Sequence, residues 1–105
     1  MLYTTTELIP GKDISEILGV VTGNVVQSKH LGRDIMANLK GIVGGELRGY
    51  TELLSEARNL AVERLLSEAK KLGADAVVGV RFTTSAITNG SSEVLAFGTA
   101  VKLGP

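Results

Sequence analysis

The sequence predicts an α+β fold in one small domain. Two observations carry that expectation: a stripe of aliphatic residues at helical spacing between Leu53 and Leu72, and two apolar, β-rich runs that flank Asn89-Gly90 directly after it. A chain of 105 residues has the ordinary size of a single domain, and no linker, repeat or low-complexity tract divides it. Residues 1–105 are therefore expected to share one core.

The first expected element is a short strand over residues 2–6, closed by the turn signal Pro10-Gly11. Residues 14–27 follow, where Ile17, Val20, Val21, Val25 and Val26 favour extended structure. Gly19 and Gly23-Asn24 interrupt the run, so it reads either as one bent strand or as a hairpin. Asp34 can cap a short helix whose apolar positions are Ile35, Met36, Leu39, Ile42 and Val43, ended by Gly44-Gly45.

The longest element is a helix with Thr51 as the expected N-cap. Leu53, Leu54, Ala57, Leu60, Ala61, Leu65, Ala69 and Leu72 lie on one side, and Glu52, Glu56, Asn59, Glu63, Ser67 and Lys70 on the other. Lys70 and Lys71 suit its negative end, and Gly73 supplies its left-handed stop. The C-terminal hairpin is expected to turn on Asn89-Gly90 alone. That register pairs Phe82 with Phe97, Val80 with Thr99 and Val78 with Val101 on a bulky face. Gly79, Gly98, Ala96 and Ala100 then form a small face. The bulky face is expected to take the helix, leaving the small one for a subunit or ligand contact.

Composition narrows the function. Eleven basic residues balance eleven acidic ones, so no net field draws nucleic acid or anionic lipid to the chain. The absence of cysteine removes disulfides, thiolate nucleophiles and thiolate metal sites. The opening MLYTTTELIPGKD lacks the pattern of a secretory signal, and no apolar run reaches the length of a membrane span. A cytoplasmic location is the expectation. Only 21% of residues are charged, while the apolar share is roughly 56% with glycine counted, an excess that points to buried subunit contacts.

Few residues invite a chemical role. His30 is the single histidine, which excludes a catalytic triad or a multi-histidine metal site within one chain. With Asp34 four residues on and Asp13 or Glu46 as a third ligand, it could hold a divalent metal ion; a surface histidine near a helix start is the plainer alternative. Gly11-Lys12 and the GIVGG run at 41–45 do not match the phosphate-binding loops and read as turns. Arg81 lies in an apolar strand and needs an acid or a ligand anion, with an intersubunit ion pair the simpler account. Tyr50 and Arg58 are further ligand or interface candidates, although such residues ordinarily pack a ring or reach solvent. No residue set singles out a catalytic role, so the reading leans away from an enzyme.

TTT at 4–6, GKDI at 11–14, VVTGNVV at 20–26, Arg33-Asp34 and the run VGGELRGYTELLSEARNLAVERLLSEAKKLGADAVVGVRF at 43–82 resemble the YbjQ family. Its members are uncharacterised small proteins named for heavy-metal binding. The resemblance implies a two-layer β-α-β-β core of the dodecin-subunit type with an antiparallel sheet and short extra strands that assemble a ring, expected to be a homopentamer. It implies no activity. The metal-binding label sits poorly with a chain lacking cysteine, because soft metals prefer thiolates. A flavin role by analogy with dodecins lacks the tryptophan that would stack on the ring. The leading expectation is a non-enzymatic homo-oligomeric binding or scaffold protein; the alternative is a metal- or small-ligand-binding protein with its site between subunits.

Overall fold

The computed structural model describes residues 1–27, 48–87 and 90–105, without the side chains of Arg48 and Tyr50. In chain order the elements are β1 (Leu2–Tyr3), β2 (Asp13–Gln27), α1 (Arg48–Lys71), β3 (Ala76–Ala86) and β4 (Ser92–Gly104). The strands form one sheet in the order β1-β3-β4-β2. This is an α+β fold with one described helix and a mixed four-stranded sheet. The expected antiparallel sheet needs correction at one edge, where β1 runs parallel to β3 and pairs Leu2 with Ala76 and Tyr3 with Val77. The short helix expected near Asp34 lies outside the described residues.

Regular β1 ends at Tyr3, short of the five residues expected, although Thr4 still bonds β3 through its N–H to the Val77 carbonyl at 3.0 Å. The Thr4 and Thr6 hydroxyls lie 2.9 Å apart, and the Thr6 hydroxyl donates to the Leu8 carbonyl at 2.7 Å. Residues 14–27 resolve as one continuous strand rather than a hairpin. β2 pairs antiparallel with β4 along its whole length, with irregularities between Ile14 and Glu16 and between Ile17 and Gly19.

α1 is described from Arg48, three residues before the expected cap, so Thr51 lies within the helix and does not open it. Its twenty-four residues span about 36 Å. The C-terminus behaves as expected: Gly73 takes φ +77°, its N–H reaches the Lys70 carbonyl, and the Ala74 N–H reaches that of Ala69. These are the two bonds of a Schellman stop, and they satisfy carbonyls that the helix leaves open. Ala57, Ala61, Leu65 and Ala69 form the buried line, whereas Leu54 and Leu72 remain 39% and 48% exposed. The buried stripe is thus narrower than the sequence periodicity and advances by four residues.

The hairpin register differs from the expected one. Ala86 pairs with Ser92, and the Ile87 N–H bonds the Ser91 carbonyl at 2.7 Å, so three residues rather than two separate the last bonded pair. A one-residue change of register moves side chains to the opposite face. Phe97 now stands opposite Arg81, and Phe82 opposite Ala96. A second shift, between Val78 and Arg81, is centred on Gly79 with φ +64°. It is a bulge, and it puts Val77 and Val80 on one face and Val78 and Arg81 on the other.

The helix consequently packs on the small face, contrary to expectation. Val77, Val80, Val94, Ala96 and Ala100 join Val21 and the helix line in one core. Phe82 is 45% exposed and Phe97 partly so, and neither belongs to that core. The small face wins because α1 comes into backbone contact: a Cβ on Gly23 would strike the Ala61 carbonyl oxygen and the Leu65 nitrogen. Gly98 is similarly closed in by the Val77 and Val80 methyls. Arg64 further ties the helix to β2 by donating to the Asn24 carbonyl at 2.6 Å.

Candidate functional site

The opposite face of the sheet, turned away from α1, carries the features of interest. Register places Ile17, Val20, Thr22, Asn24 and Val26 of β2 on it, beside Val101, Thr99, Phe97, Leu95 and Glu93 of β4. Ile17, Val20 and Val26 are 71%, 75% and 58% exposed. β-branched side chains are ordinary strand formers, but so many on a wet face leave a broad apolar surface without cover from the described residues.

The lower end of this face is covered by the chain itself. Residues after β1 run beside β3, and the Thr6 and Thr4 carbonyls accept from the Gly79 and Val80 N–H groups at 2.9 and 3.0 Å. Ile9 then folds in against Ala76, Val78 and Val101, with Ile14 and Leu103 packed around them. Between this cover and the open face lies a cavity of about 370 Å³, lined by Glu7, Ile14, Val78, Arg81, Thr99 and Val101 and bounded by Ile17 and Gly79. That volume is within the range of small-ligand sites, though toward its lower end.

Arg81 is the organised group at this cavity. The Gly79 bulge turns it onto the outer face, and its Nη1 donates to the Thr5 carbonyl at 2.8 Å and the Val80 carbonyl at 2.9 Å. Two donors of the planar guanidinium are thereby fixed, which leaves Nη2 and Nε without an acid or carbonyl among the described residues. The ion pair expected for Arg81 is not made within the described chain. Glu7 lines the same cavity without pairing with it.

The other sequence candidates fall elsewhere. His30, Asp34 and Glu46 lie outside the described residues. Asp13 opens β2, exposed and opposite Gly104. Tyr50 is in the first described turn of α1, and Arg58 is exposed on that helix, where its Nη2 donates to Ser55 at 3.2 Å. Arg58 does not line the Arg81 cavity. Sequence reasoning missed Glu7, Thr99 and the exposed Val20, because their placement depends on the bulge and on the N-terminal segment folding back. The Gly79 inside an apolar strand was the one available signal.

A family model described as "Putative heavy-metal-binding" matches residues 1–104. The chain belongs to the YbjQ family. A UPF0145 protein of Shewanella frigidimarina is 74% identical over 105 residues, covering 100% of this chain and 98% of the relative. A UPF0145 protein of Thermotoga maritima is 63% identical over 103 residues, covering 98% and 97%. A crystal structure of a protein of unknown function from Pediococcus pentosaceus superposes with a TM-score of 0.61 at 18% identity, covering 99% of this chain and 98% of that one. The last likeness concerns the fold alone. This YbjQ-family chain, like its UPF0145 relatives, has no established function.

The metal named in the family's description can be tested against the donors present. The chain has no cysteine, and among the described residues no three His, Asp or Glu side chains converge. The described residues therefore do not fit a heavy-metal site, since soft ions select thiolates and even harder ions need several convergent ligands. Among them, too, no helix is long and apolar enough to cross a membrane.

Proposed function

We propose that the protein is a non-enzymatic, homo-oligomeric binding or scaffold protein of the cytoplasm, assembled as a pentameric ring of two-layer subunits. The supporting observation is the outer sheet face, where Ile17, Val20 and Val26 stand largely in water. The resemblance supports pentameric closure, and a cysteine-free composition fits a reducing cytoplasm.

The test is native mass spectrometry at micromolar concentration, alone and with Val20→Lys combined with Val26→Lys. The wild type should carry five copies, and the double variant should fall to smaller species while keeping its circular dichroism. A monomeric wild type overturns the proposal. A second reading, a small ligand held near a subunit contact, draws support from the cavity at Arg81, which Ile17 joins to the apolar face.

A further inference from the structure

We infer that the Arg81 cavity is a binding site for a zwitterionic small molecule with an aliphatic body, such as a branched-chain α-amino acid. Every residue it uses belongs to one chain, and Ile17, on the face proposed for the subunit contact, borders the same cavity.

The cavity has two kinds of wall. Ile14, Val78 and Val101 give it an aliphatic floor, and these residues belong to the satellite core under Ile9, so the floor is held in place by packing. Its polar side consists of one cation, Arg81, one anion, Glu7, and one hydroxyl, Thr99. The two charges make no ion pair with each other or with any other described group. A pocket that recognised a simple anion would be weakened by Glu7, and one that recognised a simple cation by Arg81. A molecule with both charges answers both groups.

The guanidinium is also pre-set. Its Nη1 is fixed by the Thr5 and Val80 carbonyls, so Nη2 and Nε present their remaining donors without the entropy cost of ordering a free side chain. That free edge suits a carboxylate, which a guanidinium can grip by two parallel bonds. The Gly79 bulge is part of the same arrangement, since an unbroken strand would turn residue 81 to the helix face. An aliphatic side chain of the bound molecule would cover Val78 and Val101, and its ammonium would approach Glu7.

The experiment is titration of the ¹⁵N-labelled full-length protein, in its native assembly, with L-leucine, 4-methylpentanoate and 3-methylbutylamine. The two analogues lack the ammonium and the carboxylate in turn. Leucine should shift the Gly79, Arg81 and Thr99 amides saturably, and each analogue should bind about tenfold more weakly, the worth of one charge-assisted contact. Arg81→Gln should lose leucine by a similar factor. Glu7→Gln should bring 4-methylpentanoate and leucine to equal affinity. Absence of a saturable shift, or analogues that match leucine in the wild type, overturns the inference. Should Arg81→Gln fail to fold, the analogues and the exposed Glu7→Gln decide the matter alone. Native mass spectra of the same samples report the subunit number separately, so loss of assembly and loss of binding are distinguishable.

Discussion

The two faces of the sheet are built on opposite rules. On the helix side, Gly23, Ala96, Gly98 and Ala100 meet Ala57, Ala61 and Ala69, and the largest fully buried side chains among the described residues there are Leu65, Val77 and Val80. On the far side, Ile17, Val20 and Val26 project into solvent with larger side chains and fewer neighbours. Small residues let backbones approach, and the contact surface is then made of backbone and methyl groups at interior density. Large residues on an uncovered face achieve no such density within the chain. Residue size alone therefore does not locate a core: the helix lies on the face where it can come closest.

The largest effect is expected at Gly23. Replacing it with Ala drives a methyl into the Ala61 and Leu65 backbone, which rotamer changes cannot relieve. Gly23→Ala should cost on the order of 3 kcal/mol or more in urea unfolding, as overpacking against rigid atoms does. Thr22→Ala, one residue away on the exposed face, should stay within about 0.5 kcal/mol. Equal midpoints for the two would show that α1 does not rest on β2 in this way.

An intermediate effect is expected at Gly79, where the two faces exchange residues. A Cβ there meets nothing within 4 Å, so the cost of Gly79→Ala is purely that of holding φ at +64°. That cost is about 1–2 kcal/mol. Gly79→Asn should recover part of it, because asparagine tolerates the left-handed region better than alanine. If both variants lose as much as Gly23→Ala, the bulge is held by contacts rather than by conformation.

The contrast between faces also explains what could be read from the sequence. The helix and the two hairpin strands were legible because their periodicities differ, and the Schellman stop at Gly73 because it obeys a local rule. The faces were assigned wrongly because Asn89-Gly90 was taken to be the entire turn, whereas Ala86 and Ser92 form the last pair. One residue of register then turned Phe97, Thr99 and Val101 outward and Ala96, Gly98 and Ala100 inward, whereas Val80 kept its place against the helix through the bulge at Gly79. Of the candidate site, Arg81 was visible as a cation in an apolar strand. Its surroundings were not, because Thr5, which bonds it, and Glu7, which lines the same cavity, arrive by a fold-back some seventy residues distant in sequence, and no local pattern encodes that placement.

The smallest effect on the single chain belongs to Val20. Its side chain is 75% exposed, so Val20→Ala removes few contacts from the isolated subunit and should change stability by no more than about 0.5 kcal/mol. An assembly that buries this face changes the reckoning, since association stabilises the folded state in a concentration-dependent way. The wild-type unfolding midpoint should then rise with protein concentration, and the Val20→Ala curve should rise less. The two should converge at high dilution, where the subunit stands alone. A gap that stays constant across a hundredfold change in concentration would mean that Val20 is packed within its own chain, and that the outer face is not where copies meet.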